Sequence, residues 1–357
     1  MPWKVDWRVI LGGQDLTTAW ASVLIDISIN DKAGEASDTC DLTLDDSEGQ
    51  LRLPSKRTPI EVILEGAKVF SGFVEKPLST GDRSGGRLLK IKAKGFDTGG
   101  KAKQPQHFHL DDADLGTYLG KLADEAGLAI KVDPAFAGIS QDYWASDGES
   151  LIAVGERLAR KLGGTFKIRG DQAVLAKRGT GLAPNGAALP QVVASFPGNL
   201  EKWSITPKDP RSQFASGQAR WFDRQSSSFK STELDFGNAQ GEATNVIRSI
   251  VADEAEADAV LDARKRDGER DAGSGSVDLD LTVGAVAEGT CLVKGTRAGV
   301  DGVYVIDGVK HSASRSGGSK TTLDLKQPGG GAGSDTRKPR AQTSPAEFAL
   351  PTHETLG

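Results

Sequence analysis

Apolar and polar residues alternate from the start of the chain. Trp3, Val5, Trp7 and Val9 are separated by Lys4, Asp6 and Arg8, and after Gly12-Gly13 a second run alternates through Val23, Ile25, Ile27 and Ile29. A period of two puts one face of a strand in a core and the other in water. Cys40, Leu42 and Leu44 continue the pattern until the acidic turn Asp45-Asp46-Ser47-Glu48-Gly49, and further strands are expected at 60–64, 69–74 and 88–93. Strands at this spacing, with hardly any helical pattern, predict an antiparallel barrel or sandwich ending near Phe96.

After Lys101-Ala102-Lys103-Gln104-Pro105 the period lengthens. Leu115, Tyr118, Leu119, Leu122, Ala123 and Ala126 share one helical face, Asp111, Asp112 and Asp114 sit where a first turn favours anions, and Gly127 follows. Residues 128–132 read as a strand and 134–143 as a loop. A second helix is expected to start at a capping box, Ser146 with Glu149. It carries Leu151, Ile152, Val154, Leu158, Ala159 and Leu162 on its buried side and Glu156, Arg157, Arg160 and Lys161 on its wet side. Gly163 and Gly164 end it, and Phe166 and Ile168, a Gly170-Asp171 turn, then Ala173 and Leu175 give a hairpin.

A linker rich in Gly, Ala and Pro, 179–190, leads back to β texture at 200–205 and 217–222, and 224–241 reads as a long loop or weak hairpin. Asp253 caps an expected helix running to about Arg266, and strands follow at 277–281, 290–293, 303–309 and 321–325. From Pro328 the chain is Gly, Pro, Ser and Thr with few apolar residues, the composition of a flexible tail. The predicted organisation is a β-barrel over 1–97, a small α+β domain over 98–185, a second β-barrel with one helix over 190–327, and the tail over 328–357.

Composition narrows the function classes. The 357 residues carry 44 Lys+Arg against 49 Asp+Glu, a net charge of −5, with no basic cluster of the kind nucleic acid selects. No apolar run approaches the roughly 20 residues of a membrane-spanning helix, and the first residues lack a signal peptide's apolar core. Cys40 and Cys291 lie in alternating runs without Cys-x-x-Cys spacing, so buried thiols are expected.

The central run Glu149-Ser150-Leu151, Arg157-Leu158-Ala159, Leu162-Gly163-Gly164 and Gly170-Asp171 resembles the middle of phage late control D proteins, the baseplate hubs of contractile tails. Pro59-Ile60-Glu61-Val62 with Val69-Phe70-Ser71-Gly72-Phe73-Val74 resembles that family's first barrel. Ala287-Glu288-Gly289, Leu292-Val293-Lys294-Gly295, Gly302–Lys310 with His311, and Thr321-Thr322-Leu323-Asp324-Leu325 resemble its closing barrel. The resemblance implies two tail-tube-like antiparallel barrels flanking the α+β domain, in a structural hub of a Mu-like or related tail. It implies a homotrimer that adapts a sixfold tube to a threefold central spike. Tube, spike, tape-measure and baseplate wedge proteins would be its partners, and its location the host cytoplasm during assembly and then the virion tail. The rival readings are the hub of a type VI secretion spike and a tail-associated cell-wall hydrolase.

Candidate chemistry is sparse. In a strand His107 and His109 would share a face near Asp111 and Asp112, but no third metal ligand is fixed by spacing. His311 reads as a strand histidine bonded to a neighbour. No Gly-x-Ser-x-Gly elbow is present. Gly12-Gly13 lacks the lysine and helix of a phosphate loop. The pairs Asp45-Asp46 and Asp111-Asp112 stand where turns and helix starts already explain acidic residues. Neither catalytic residue, cofactor nor metal is expected. The hub reading carries one structural requirement: the two β regions should share a topology.

Overall fold

The computed structural model describes residues 3–83, 85–181, 187–209, 214–238 and 241–337. In chain order the first part comprises β1 (Trp7–Leu11), β2 (Gln14–Asp15), α1 (Thr17–Trp20), β3 (Leu24–Lys32), β4 (Thr39–Asp45), β5 (Pro59–Leu64), β6 (Ala67–Asp82) and β7 (Gly86–Lys94). The middle comprises β8 (Gln106–Asp114), α2 (Leu115–Ala126), β9 (Ala129–Val132), α3 (Pro134–Ala137), β10 (Ser140–Glu149), α4 (Leu151–Leu162), β11 (Gly164–Arg169) and β12 (Gln172–Lys177). The last part comprises β13 (Gln191–Ser195), β14 (Leu200–Thr206), β15 (Ser216–Asp223), β16 (Ser228–Asp235), β17 (Thr244–Val246), α5 (Glu254–Arg270), β18 (Ser274–Asp280), β19 (Thr290–Lys294), β20 (Gly302–Ser314) and β21 (Gly318–Gly329). The chain is mainly β, with an α+β segment between two large strand groups.

Those groups have the same strand order. In the first, β1-β5-β6-β7-β4-β3 lie side by side, and in the second β13-β19-β20-β21-β18-β14. Numbered by appearance within each group, both read first-fourth-fifth-sixth-third-second. The likeness extends to irregularities. A bulge separates Leu24 from Asp26 where β3 meets β4, and another separates Leu200 from Lys202 where β14 meets β18. A bulge between Val74 and Lys76 on β6 has its counterpart between Ile306 and Gly308 on β20. Val74 exchanges backbone bonds with Arg57 and Thr58 as Ile306 does with Glu288 and Gly289, and both Arg57 and Glu288 have φ of 67°. One pairing differs: β1 runs antiparallel to β5, whereas β13 runs parallel to β19.

Inward residues of each group make a separate core. Val9, Leu24, Ile27, Leu42, Leu44, Val62, Leu89 and Ile91 belong to the first, and Val277, Leu279, Cys291, Tyr304, Ile306 and Leu323 to the second. The two groups are nevertheless one continuous sheet, because β20 pairs antiparallel with β3, from Gly308 opposite Lys32 to Ser314 opposite Asp26. In the middle segment α2 and α4 pack on β11 and β12 through Tyr118, Leu119, Leu122, Leu158, Phe166 and Leu175. A fourth cluster lies under α5, where Val260 and Leu261 meet Ala219 and Trp221 of β15.

Several expected positions move. The bulge at Leu24 shifts the phase of β3, so Leu24 is buried while Val23 and Ile25 are only partly so. The helix expected to be capped by Ser146 begins four residues later. Ser150 is the N-cap, its Oγ accepting from the Ala153 N–H, while Ser146 lies in β10 and its hydroxyl donates to the Gln106 and Glu149 carbonyls. Residues 134–143, read as loop, hold α3 and the start of β10. Asp111 and Asp112 lie in β8 rather than in a helix turn, and Asp114 alone caps α2 by accepting from Thr117 N–H at 2.7 Å. The helix expected to reach about Arg266 continues to Arg270. The stretch read as loop or weak hairpin contains β16, paired with β15. Pro328 and Gly329 complete β21, and residues 338–357 of the expected tail lie outside the described residues, as do 182–186 of the linker.

Candidate assembly surfaces

The residues singled out for chemistry do not converge. Exposed His107 lies 3.4 Å from Asp147, and His109 stacks on Tyr143 with ring centroids 5.6 Å apart. Asp45 accepts from the Ser47 backbone N–H at 2.9 Å and Asp46 from the Leu51 N–H at 3.0 Å, so both serve their own turn. Gly12 and Gly13 form the β1–β2 turn with φ of 60° and 82°, which glycine adopts without a Cβ clash. Among the described residues no three of His, Cys, Asp and Glu gather as metal ligands would. Cys40 and Cys291 are buried free thiols, and burial pushes the Cys291 thiol up to about 12.

Buried charge gathers instead where the three parts of the chain meet. Asp31 of β3 and Asp38 before β4 face Lys167 and Arg169 of β11. Lys167 Nζ lies 2.6 Å from Asp38 and closer still to Asp31, while Arg169 Nε lies 2.9 Å from Asp38 and its Nη2 3.2 Å from Asp31. Burial works to raise the Asp31 carboxyl, but the cations outweigh it and hold that carboxyl below its ordinary range. Burial, with the Asp31 charge beside it, raises Asp38. Arg270 of α5 forms a second knot, reaching Glu288 at 3.0 Å and Asp307 at 2.8 Å. Such pairs lose much of their Coulomb energy to desolvation, and removal of one partner leaves a charge stranded. The first knot fixes the α+β segment on the first strand group, and the second ties α5 to the closing strands of the last part. A cleft of 380 Å³ beside the first knot is lined by Asp31, Asp38, Arg169 and His311, and its carboxylates are already engaged by the cations. His311 Nδ1 sits 3.0 Å from Thr321 Oγ1, and burial drives its pKa down to about 4.

Open strand edges and exposed apolar side chains are the features left for contact with other molecules. β14 ends the sheet, paired with β18 and with nothing on its outer side among the described residues. β6 runs past the end of β5, so that from Lys76 to Asp82 it pairs, among the described residues, with β7 alone. Phe222 and Phe229 meet edge-on at 5.2 Å on the outer face of β15 and β16, and Phe229 is 65% exposed. None of these surfaces was legible as a site in the sequence, because pairing partners, not residue types, define them.

No family model matches the sequence. The probable baseplate hub protein of Escherichia phage P2 is 24% identical over 220 residues, 60% of this chain and 56% of that protein. Its counterpart in Escherichia phage 186 is 23% identical over 221 residues, 57% of each chain. The match is to the phage baseplate hub family. It spans just over half the length of these hub proteins. The fold agrees with tail proteins over more of the chain: the 43 kDa tail protein of prophage MuSo2 from Shewanella oneidensis is 12% identical, with a TM-score of 0.66 over 90% of this chain and 98% of that one. An E. coli component of the type VI secretion system, itself described as similar to T4 phage tail proteins, is 10% identical with a TM-score of 0.54, over 92% of this chain and 79% of that one. Both of the phage relatives are named as probable baseplate hub proteins. No described helix is long and apolar enough to cross a membrane.

Proposed function

We propose that the chain is the structural hub of a contractile phage baseplate, in which three copies close a ring of six strand groups. The observation that carries this reading is the shared strand order of the two groups, with bulges at corresponding places. A threefold oligomer of a chain with two equivalent groups offers six equivalent positions on one side and threefold symmetry on the other, which is what a sixfold tube on a threefold spike requires. Each group would act as a tail-tube-like barrel, with 1–97 and 190–327 as the barrel domains and 98–185 outside the ring. Tube and spike proteins would be its neighbours, with tape-measure and wedge proteins further out, and assembly would take place in the host cytoplasm.

The work is mechanical rather than catalytic on this reading. The relatives are hub and tail proteins, and the carboxylates of the cleft beside the buried knot are held by Lys167 and Arg169. Quantitative peptide mass spectrometry of purified tails tests it: three copies per tail are expected. Six copies, or absence from tails, would overturn the proposal, as would peptidoglycan cleavage by the purified chain. The likeness to the type VI component supports a second reading, the hub of a secretion spike. It predicts recovery of the chain with secretion sheaths rather than with phage tails.

A further inference from the structure

Inside the chain the two strand groups are joined by β20 and β3, and the internal repeat carries both strands over to edges that are open. The β19 partner of β20 stops at Thr290 opposite Val305, and beyond it Gly308–Ser314 takes β3, with Lys310 opposite Asn30 and Ser312 opposite Ser28. The β5 partner of β6 likewise stops at Pro59 opposite Phe73, leaving Lys76 to Asp82 open on that side. The hairpin ends align Ser314 and Gly318 with Asp82 and Gly86, so Ser312 falls on Thr80 and Lys310 on Leu78. The equivalent bulges and ladders align Ile27 and Ile29 with Trp203 and Ile205, so Ser28 falls on Ser204 and Asn30 on Thr206.

We propose that β6 of one copy pairs antiparallel with β14 of a second copy, with Thr80 opposite Ser204, Leu78 opposite Thr206 and Asp82 opposite Lys202. The inference rests on the ring reading above and names the strands and register that build it. One observation marks this edge as lacking a neighbour, and two favour this register. Ile27 and Ile29 are 1% and 2% exposed beside β20, whereas their counterparts Trp203 and Ile205 at the open edge are only partly buried, as a missing neighbour would leave them. Pro77 falls opposite Pro207, so the two residues without an N–H end the ladder together. A shift of two residues would set each proline against a residue that has an N–H and break the ladder in two places. Asp82 and Lys202 bring opposite charges face to face. The occupant is a second copy because both edges belong to this chain and are images of two strands already paired within it. A head-to-tail contact of this kind repeats around a ring.

Disulfide trapping tests the register in the full chain. In the intrachain junction Ala33 N–H donates to Asp307 and Arg315 N–H to Ile25, so Ser312 and Ser28 form a non-hydrogen-bonded pair. Such pairs have Cα atoms about 4.5 Å apart, within reach of a disulfide. Thr80→Cys and Ser204→Cys chains, oxidised separately, should stay uncrosslinked, and their mixture should give a covalent dimer. Chains with both substitutions should give a closed covalent oligomer, while Thr80→Cys with Lys202→Cys should not. Ser79→Pro, which removes an outward N–H and leaves the β7 ladder intact, should lower the assembled fraction at least tenfold. Absence of the disulfide in chains whose native mass shows a multimer would overturn this register and leave the ring standing, as would wild-type assembly of Ser79→Pro. A chain that stays monomeric at millimolar concentration and gives no disulfide within tails would overturn both.

Discussion

His311 shows what burial does to a single titratable side chain in this molecule. Its ring is held neutral among the strands of the second group, with a pKa lowered from 6.5 to about 4, chiefly by burial and against the pull of Asp31. The unfolded chain binds a proton that the folded ring resists, so the contribution of His311 is fully present above pH 6.5. It is lost as pH falls from 6.5 towards 4, by up to about 3 kcal/mol. Melting curves across that window should fall less steeply for His311→Gln than for the parent, and parallel curves would contradict the assignment. Position also decides the outcome of a charge on α4. Leu158 is 2% exposed, so Leu158→Asp should cost about 3 kcal/mol or more. Arg157→Asp loses an exposed pair with Glu149, at 2.6 Å, worth about 1 kcal/mol or less. Thermal melts with equal midpoints for the two variants would show the helix phase to be wrong.

At the scale of elements, helix ends are decided by competition between neighbouring strands and caps. Ser146 and Ser150 both precede the apolar run of α4, and Ser146 has the Glu three residues on that a capping box asks for. The pairing of β10 with β8 takes Ser146 instead, and the cap falls to Ser150. Ser150→Ala should cost about 1 kcal/mol and speed amide exchange in the first turn of α4. Ser146→Ala should leave that exchange unchanged, and the reverse pattern would restore the capping box. The amphipathic helices α2 and α4 and most strands of the two large groups were legible in the sequence, because each buries one face at a regular period. β8 and β10 were not, because the ribbon they form is polar, with Phe108, Leu110 and Trp144 as its main apolar contacts to the core. The phase of β3 was misread because a bulge leaves no mark on composition. The charge knots escaped because their partners, such as Asp31 and Lys167, are far apart in sequence and meet only through the fold.

Across the whole molecule, the internal repeat links architecture to function. It survives in strand order, bulges and backbone bonds rather than in residue identity: Trp203 stands where Ile27 does, and Gly275 where Cys40 does. For that reason the requirement of a shared topology was legible only through the family resemblance, and the strand register only through the structure. The α+β segment is fixed to the first group by Lys167 and Arg169 and to the last part of the chain by Lys161 with Glu256 and Arg178 with Glu288, which on the hub reading holds three such segments at constant angles around the ring. The most direct test of the account is a threefold-averaged density map of the tail end at the level of this chain. The account predicts six strand groups at one radius and height around the channel, two from each of three chains, with three α+β segments outside them. Strand groups from one chain lying at different radii or heights, or a ring closed by six chains, would contradict it.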